Sequence, residues 1–206
     1  MIEVYLVPTA NGQKVAILLE ELDLPYVAHR IVRTVGDTPT NDYLKLNPMG
    51  KYPTLVDPDT NDEPLAIFET HAIAQYLIEK TGQLLPETQK ERVAAHIWAA
   101  LAASDLTPAM ATQYFLTLRA ETDVSEATDW VLNEIARFLA AIDARLGDAP
   151  YLAGDVYSYA DVLMYPLMAT SVQRLDGGYA AYANITRWAE VVGARAAVQE
   201  GMAVAG

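Results

Sequence analysis

Every strand-like stretch in this chain lies before Gly82, and beyond the polar linker that follows no strand-like alternation appears. That division constrains the fold more than any other feature. Ile2–Val7 is apolar and β-rich, so it predicts a strand. Asn11-Gly12 follows, then Val15, Leu18, Leu19 and Leu22 at helical spacing, ended by Asp23-Leu24-Pro25. Val27, His29 and Ile31 alternate with Ala28, Arg30 and Val32 as a second strand. A short helix is expected around Asn41–Lys45. Thr54–Val56 and Leu65–Phe68 read as a hairpin across the turn formers of 57–62. Ile73, Tyr76, Leu77 and Lys80 then mark a helix that Gly82 stops.

The order is β-α-β-α-β-β-α. Its opening strand–helix–strand unit demands a right-handed parallel crossover, and the hairpin adds an antiparallel edge. The expected fold is an α/β thioredoxin-like N-terminal domain followed by an all-α C-terminal helical bundle domain. The boundaries read as 1–81 for the first domain, 82–90 for a polar linker carrying Pro86, and 91–206 for the helical domain. In the second half, Val93, Ile97 and Leu101 share one helical face and read as core. Val131, Ile135, Phe138, Leu139, Ile142 and Leu146 form a longer stripe that Gly147 is expected to close. Ser158-Tyr159-Ala160-Asp161 is a capping box, with Ser at N-cap and an acid at N3. The almost wholly apolar Val162–Val172 is the expected central helix.

Composition narrows the chemistry. Hydrophobic residues make up 52% of the chain, enough to bury a real core. No run reaches the ~18 apolar residues of a membrane helix, and Met1 leads straight into a strand without a signal-peptide pattern. A soluble cytoplasmic protein with no membrane partner is expected. Acidic residues number 27 against 14 basic, a net charge of −13. Nucleic acid, which wants a basic stripe, is an unsuitable partner. Cysteine is absent, so any thiol must arrive with a ligand. His29, His71 and His96 lack the spacing of a zinc motif, and no metal is expected.

Four segments now combine: Thr9-Ala10-Asn11-Gly12, Asn47-Pro48-Met49-Gly50-Lys51-Tyr52-Pro53, Ile67-Phe68-Glu69-Thr70-His71-Ala72-Ile73, and Tyr151-Leu152-Ala153-Gly154-Asp155 with Ser158 and Asp161. In this order they resemble the glutathione transferase family over essentially the whole chain. The start Pro8-Thr9-Ala10-Asn11-Gly12-Gln13-Lys14 is similar to the bacterial and fungal Thr-x-Asn-Gly (nu-like) subgroup, which includes enzymes with disulfide-bond reductase activity. The resemblance implies glutathione as co-substrate and a homodimer.

It also implies site residues. Thr9 and Asn11 flank the first helix start as the expected catalytic pair. The Thr9 hydroxyl is to donate to the thiolate, while Asn11 caps the helix through its carbonyl and leaves its NH₂ free. Lowering a thiol from pKa about 8.5 to about 6.5 takes roughly 2.7 kcal/mol. A helix N-terminus supplies ~0.3–2 kcal/mol and a charged hydrogen bond ~1.5–3 kcal/mol, so the two sources suffice. Ala10 aligns with the serine or cysteine of other subtypes and can do neither job. Tyr5 reads as a packing residue. Tyr52-Pro53 matches the family's cis-proline, with the Tyr52 backbone capturing the cysteinyl unit and Lys51 meeting the glycyl carboxylate. Glu69-Thr70 sits where the family binds the γ-glutamyl end. Thr38 and Trp130 align with a glutamine and an arginine that contact glutathione in close relatives. Arg119 could replace that arginine. Met110, Tyr114, Phe115 and Trp130 are candidates for an electrophile pocket between the domains. Ala196 stands where the family usually has proline after arginine, far from the chemistry.

The implied function is activation of glutathione for conjugation to a small electrophile, as in detoxification, or for disulfide or peroxide reduction. The alternatives are a glutathione-binding scaffold or sensor with little catalysis, and storage of hydrophobic ligands.

Overall fold

A computed structural model describes residues 1–32, 38–60 and 63–205. The turn formers Asn61 and Asp62 lie outside the described residues. Two compact units emerge, one of residues 1–84 with 193–206 and one of residues 85–192.

The first unit is built on a four-stranded sheet of order β2-β1-β3-β4. Strand β1 (Ile2–Leu6) lies parallel to β2 (Tyr26–Arg30) and antiparallel to β3 (Thr54–Asp57), which pairs antiparallel with β4 (Leu65–Phe68). The parallel pair follows from helix α1 (Ala10–Glu21), whose crossover returns the chain to the same sheet edge. The predicted short helix is α2 (Asn41–Leu46), and α3 (Thr70–Thr81) ends at Gly82 in the left-handed conformation, as its sequence signal implies. Asp57, 1% exposed, ties β3 to α3: it pairs with Lys80 Nζ at 2.8 Å and accepts the Tyr76 hydroxyl at 2.6 Å.

Residues 193–206 depart from the expected division. Helix α9 (Ala196–Ala205) packs along α1 in the first unit, and Arg195 forms a bidentate pair with Glu21 at 2.6 and 2.7 Å. The close approach is made at Gly201. A Cβ there would lie 2.5 Å from the backbone nitrogen of Ile17 and 2.6 Å from its Cα. Backbone cannot yield as a flexible side chain does, so only glycine fits. Gly201→Ala gains ~1 kcal/mol of helix propensity but must push the helices apart, which costs ~1–3 kcal/mol or more. The expected result is a net loss of about 1–2 kcal/mol in a denaturant titration.

In the second unit, α4 (Gln89–Ala100) starts within the predicted linker, because Thr88 caps it by accepting from the Glu91 N–H at 3.2 Å. The stripe of Val93 and Ile97 does not form core. These side chains are 50% and 57% exposed, and α4 turns Ala95 and Ala99 inward instead. A π-helical segment, Leu101–Leu106, leads into α5 (Thr107–Leu118). Helix α6 (Ser125–Asp148) buries the expected Val131, Ile135, Leu139, Ile142 and Leu146. Gly147 does not stop it. The helix runs one residue further, and the missing Cβ leaves room for the Asn184 side chain, 3.2 Å from where that atom would stand.

The capping box opens α7 (Tyr159–Pro166) as the sequence predicts. Irregular helical turns, π over Leu167–Ser171 and 3₁₀ over Val172–Arg174, prolong it. Asp161 is fully buried and accepts four bonds: from the Leu152 N–H, the Trp188 indole N–H, and the Ser158 N–H and hydroxyl. Burial pushes its carboxyl up, against the pull of these donors. Helix α8 (Ala183–Gly193) brings Trp188 to that carboxylate.

Candidate functional site

Strand register gathers the candidate residues of the first unit at one end of the sheet. Tyr5 pairs with Thr54, and Thr54 pairs with Phe68. Therefore the chain leaving β1 toward Thr9, the Tyr52-Pro53 turn entering β3, and the Glu69-Thr70 step leaving β4 all emerge together. Leu6 opposite Arg30 brings the exit of β2, which leads on toward Thr38, to the same end. Thr38 itself is exposed.

Thr9, not Asn11, is the N-cap of α1. Its extended backbone (φ −137°, ψ 162°) lets Oγ1 accept from the Gly12 N–H. At 3.4 Å this is a long bond. Its hydroxyl proton is not used by that contact, and the residue is exposed. Gly12 is required by close approach, since a Cβ would collide with the Val7 carbonyl oxygen. The Thr-x-Asn-Gly spelling thus has a mechanical reason: cap, buried Ala10, Asn11, and a glycine that lets the helix start press on the strand end.

Asn11 does something the sequence did not disclose. Its Oδ1 accepts from Lys14 Nζ at 2.9 Å. Lysine is a donor, so the amide oxygen must face it and the NH₂ is turned the other way. The oxygen that was expected to cap the helix is held by Lys14 instead. Lys14 is 1% exposed, and burial pushes its pKa down to about 7. Its spacing from Asn11 was visible in the sequence. Its burial was not, because lysine is ordinarily a surface residue.

The segment before Pro53 is organised by two residues that sequence reasoning left without a role. Asn47, buried, donates to the Lys51 carbonyl at 2.7 Å and accepts from the Met49 N–H at 3.0 Å. The Tyr43 hydroxyl donates to the same carbonyl at 2.7 Å. Burial pushes the Tyr43 phenol up to about 12, so it remains a donor at neutral pH. With the Lys51 carbonyl held twice, the orientation of the following Tyr52 peptide is fixed. The Tyr52–Pro53 bond is cis, as the motif implies. The Tyr52 ring stacks on Tyr43 with centroids 4.5 Å apart. Tyr5 stacks on His29 at 4.6 Å and meets Tyr43 edge-on, a packing role as expected. The Lys51 side chain is exposed.

Glu69 is exposed and sits at φ +70°, ψ 120°, a conformation that glycine tolerates and other residues resist. It occupies the N-cap position of α3 without a side-chain capping bond, so its carboxylate is left for another partner. Thr70 follows at the first helical position, 8% exposed. Glu69→Gly relieves the strain and is expected to stabilise the protein by about 1 kcal/mol while weakening capture of a ligand ammonium by about tenfold. Thermal denaturation and ligand titration of one variant check both signs.

The remaining candidates lie in the second unit. Met110 is buried, whereas Tyr114, Phe115 and Trp130 are 48%, 59% and 66% exposed on α5 and α6. Arg119 is exposed at the C-cap of α5. Among the described residues, no cluster of three or more His, Asp or Glu could hold a metal ion. No helix there is long and apolar enough to cross a membrane.

Family models match both halves of the chain. Glutathione S-transferase, N-terminal domain, matches residues 10–80, and glutathione S-transferase, C-terminal domain, matches residues 106–196. The disulfide-bond oxidoreductase YfcG of Escherichia coli (strain K12) is 32% identical over 205 residues, covering 98% of this chain and 94% of that protein. The chain belongs to the glutathione S-transferase family. Among solved structures, a transferase from Pseudomonas putida with one glutathione disulfide bound per subunit is 30% identical with a TM-score of 0.91, covering 100% of this chain and 92% of the other. A family member from Pseudomonas fluorescens with two glutathiones bound is 31% identical with a TM-score of 0.90, covering 98% and 92%. This transferase is therefore similar, over nearly its whole length, to proteins that hold glutathione or glutathione disulfide.

Proposed function

We propose that this glutathione S-transferase activates the thiol of bound glutathione and uses it chiefly to reduce small disulfides, with conjugation to electrophiles as a second outcome of the same thiolate. One observation carries the reading. The exposed Thr9 hydroxyl and the half-buried Asn11 amide collect at the α1 N-terminus of a chain without cysteine, at the sheet end where the Tyr52 backbone and the Glu69-Thr70 helix start also emerge. The Thr9 hydroxyl and the Asn11 NH₂ stabilise the thiolate, with help from the helix terminus. The Tyr52 peptide pairs with the cysteinyl backbone, Lys51 and Thr38 approach the glycyl end, and Glu69 with Thr70 takes the γ-glutamyl end.

The bound thiolate attacks one sulfur of a disulfide. A glutathionyl mixed disulfide forms, and the departing thiolate takes up a proton. A second glutathione thiolate attacks the mixed disulfide, forming glutathione disulfide and releasing the second thiol, which is also protonated. Relatives that hold two glutathiones, or one glutathione disulfide, support a site large enough for both. In conjugation the same thiolate attacks an electrophilic carbon, the chemistry of detoxification. A cytoplasmic setting, where the glutathione pool is kept reduced, suits both reactions. Homodimer formation is supported by the exposed Val93 and Ile97 stripe.

Assays of glutathione-dependent reduction of hydroxyethyl disulfide and of conjugation to chlorodinitrobenzene test the proposal. Disulfide reduction is expected to be the faster. A second reading, a glutathione-binding scaffold, is favoured by Trp130, an exposed uncharged residue where the family resemblance leads one to expect an arginine. Binding of glutathione without turnover in either assay selects that reading.

A further inference from the structure

An asparagine amide serves as a donor to a thiolate only when its nitrogen, not its oxygen, faces the sulfur. In α1 the residue that selects the orientation lies one turn further along. Lys14 Nζ stands 2.9 Å from Asn11 Oδ1. An ammonium has three donors and no acceptor, so it faces the amide oxygen and repels the NH₂. Turning the amide over would set N–H groups against N–H groups and lose a charge-assisted hydrogen bond. The arrangement is unusual for its setting. Lys14 is 1% exposed on a helix whose first turn carries no acidic residue. Burial there opposes its charge, pushing its pKa down to about 7. Helix formation gives no reason for a cation at this depth, since Thr9 already caps α1.

We propose that Lys14 is a positioning residue for the thiol chemistry: by holding the side-chain oxygen of Asn11, it fixes the Asn11 NH₂ as the donor offered to bound glutathione. The proposal rests on the reading of Thr9 and Asn11 as the thiol-activating pair. In this proposal the effect of Lys14 on the thiol passes through Asn11.

That last property separates positioning from a merely structural role, because residues acting in series are not additive. The test is the ultraviolet thiolate absorbance of saturating glutathione at about pH 6, where Lys14 is mostly the all-donor ammonium, on four proteins: the parent, Asn11→Ala, Lys14→Met and the double variant. Each single substitution is expected to lower the thiolate-to-thiol ratio of bound glutathione on the order of tenfold, the loss of one hydrogen bond to a charged group. The double variant is expected to fall no further than Asn11→Ala. If Lys14→Met lowers the ratio by its full factor again in the Asn11→Ala background, Lys14 acts independently of Asn11 and the proposal is overturned. Parent-like thiolate in Lys14→Met, with Asn11→Ala depleted, also overturns it and leaves the Thr9–Asn11 reading standing. Parent-like thiolate in Asn11→Ala removes that reading and the proposal together. Asn11→Asp answers the same question without touching the buried lysine. It keeps an oxygen for Lys14 and replaces the NH₂ with a second oxygen, so its loss is expected to equal or exceed that of Asn11→Ala. Parent-like thiolate in Asn11→Asp contradicts the fixed orientation.

Discussion

Asn11→Ala is expected to lower kcat/KM for glutathione-dependent turnover by about ten- to a hundredfold, the rate equivalent of ~1.5–3 kcal/mol lost at a developing thiolate. Binding of glutathione should weaken far less, by about threefold or less, because Tyr52, Glu69 and Thr70 carry most of the tripeptide recognition in this account. Thr9 needs a more careful variant. It caps α1, and Thr→Ala at an N-cap costs ~0.5–2 kcal/mol of stability in general. The long 3.4 Å bond to the Gly12 N–H places this cap at the low end. Thr9→Ser keeps both the cap and the donor and should retain activity. Thr9→Val keeps the shape without the hydroxyl and should lose activity to a degree comparable with Asn11→Ala. Steady-state kinetics on the three proteins, with glutathione titrations alongside, separate loss of chemistry from loss of binding.

Asp161→Ala should produce the largest stability change. The substitution strands the buried Leu152 and Ser158 N–H groups and the Trp188 indole N–H, all at 2.9–3.0 Å from the carboxylate. Each unsatisfied buried donor costs ~1–3 kcal/mol, and removing the buried charge returns part of that, so a net loss of about 4 kcal/mol is expected. For a chain of this size, that lowers Tm by roughly 10 °C. Asp161→Asn keeps an oxygen for Leu152 and Trp188 but turns an NH₂ toward the Ser158 N–H, so an intermediate loss is expected. Circular dichroism and tryptophan fluorescence melts follow helix content and the Trp188 environment in one experiment. An Asp161→Ala melt within a degree or so of the parent contradicts this role for the carboxylate.

The sheet was legible in the sequence because few solutions satisfy it. A strand–helix–strand unit must be parallel and a short turn must be antiparallel, so the sense of the β1–β2 and β3–β4 pairs followed from element order, while the antiparallel pairing of β3 with β1 did not. The capping box was equally plain, since its spelling and its hydrogen bonds are the same statement. What escaped was whatever depends on which surface covers another. The Val93–Ile97–Leu101 period located a helical face, yet period alone does not say what packs there, and Val93 and Ile97 stay exposed. Helix α9 is an apolar segment that either half of the chain could bury. The fit of Gly201 over the Ile17 backbone and the Arg195–Glu21 pair assign it to the first unit. Gly147 carried a stop signal that packing against Asn184 overrode.

The candidate site divides in the same way. Thr9, Tyr52, Pro53, Glu69 and Thr70 were legible as candidates because the roles proposed for them rest on backbone and on short motifs. The strained backbone of Glu69, the Tyr43 and Asn47 bonds to the Lys51 carbonyl, and the buried Lys14 depend on contacts across the first unit. No local spelling announces them. Tyr43 is a tyrosine in a short amphipathic helix, and Lys14 is a lysine three residues after an asparagine. Each becomes informative only when its depth is known.

The central claim is that the α1 start, the Tyr52 turn and the α3 start form one glutathione site. Isothermal titration calorimetry of the purified protein with reduced glutathione, and separately with glutathione disulfide, tests it most directly. Saturable binding of both is expected, with the disulfide the tighter ligand because it fills the space of two tripeptides. No heat of binding from either ligand at millimolar concentration contradicts the claim, and would mean that this transferase fold serves a ligand other than glutathione.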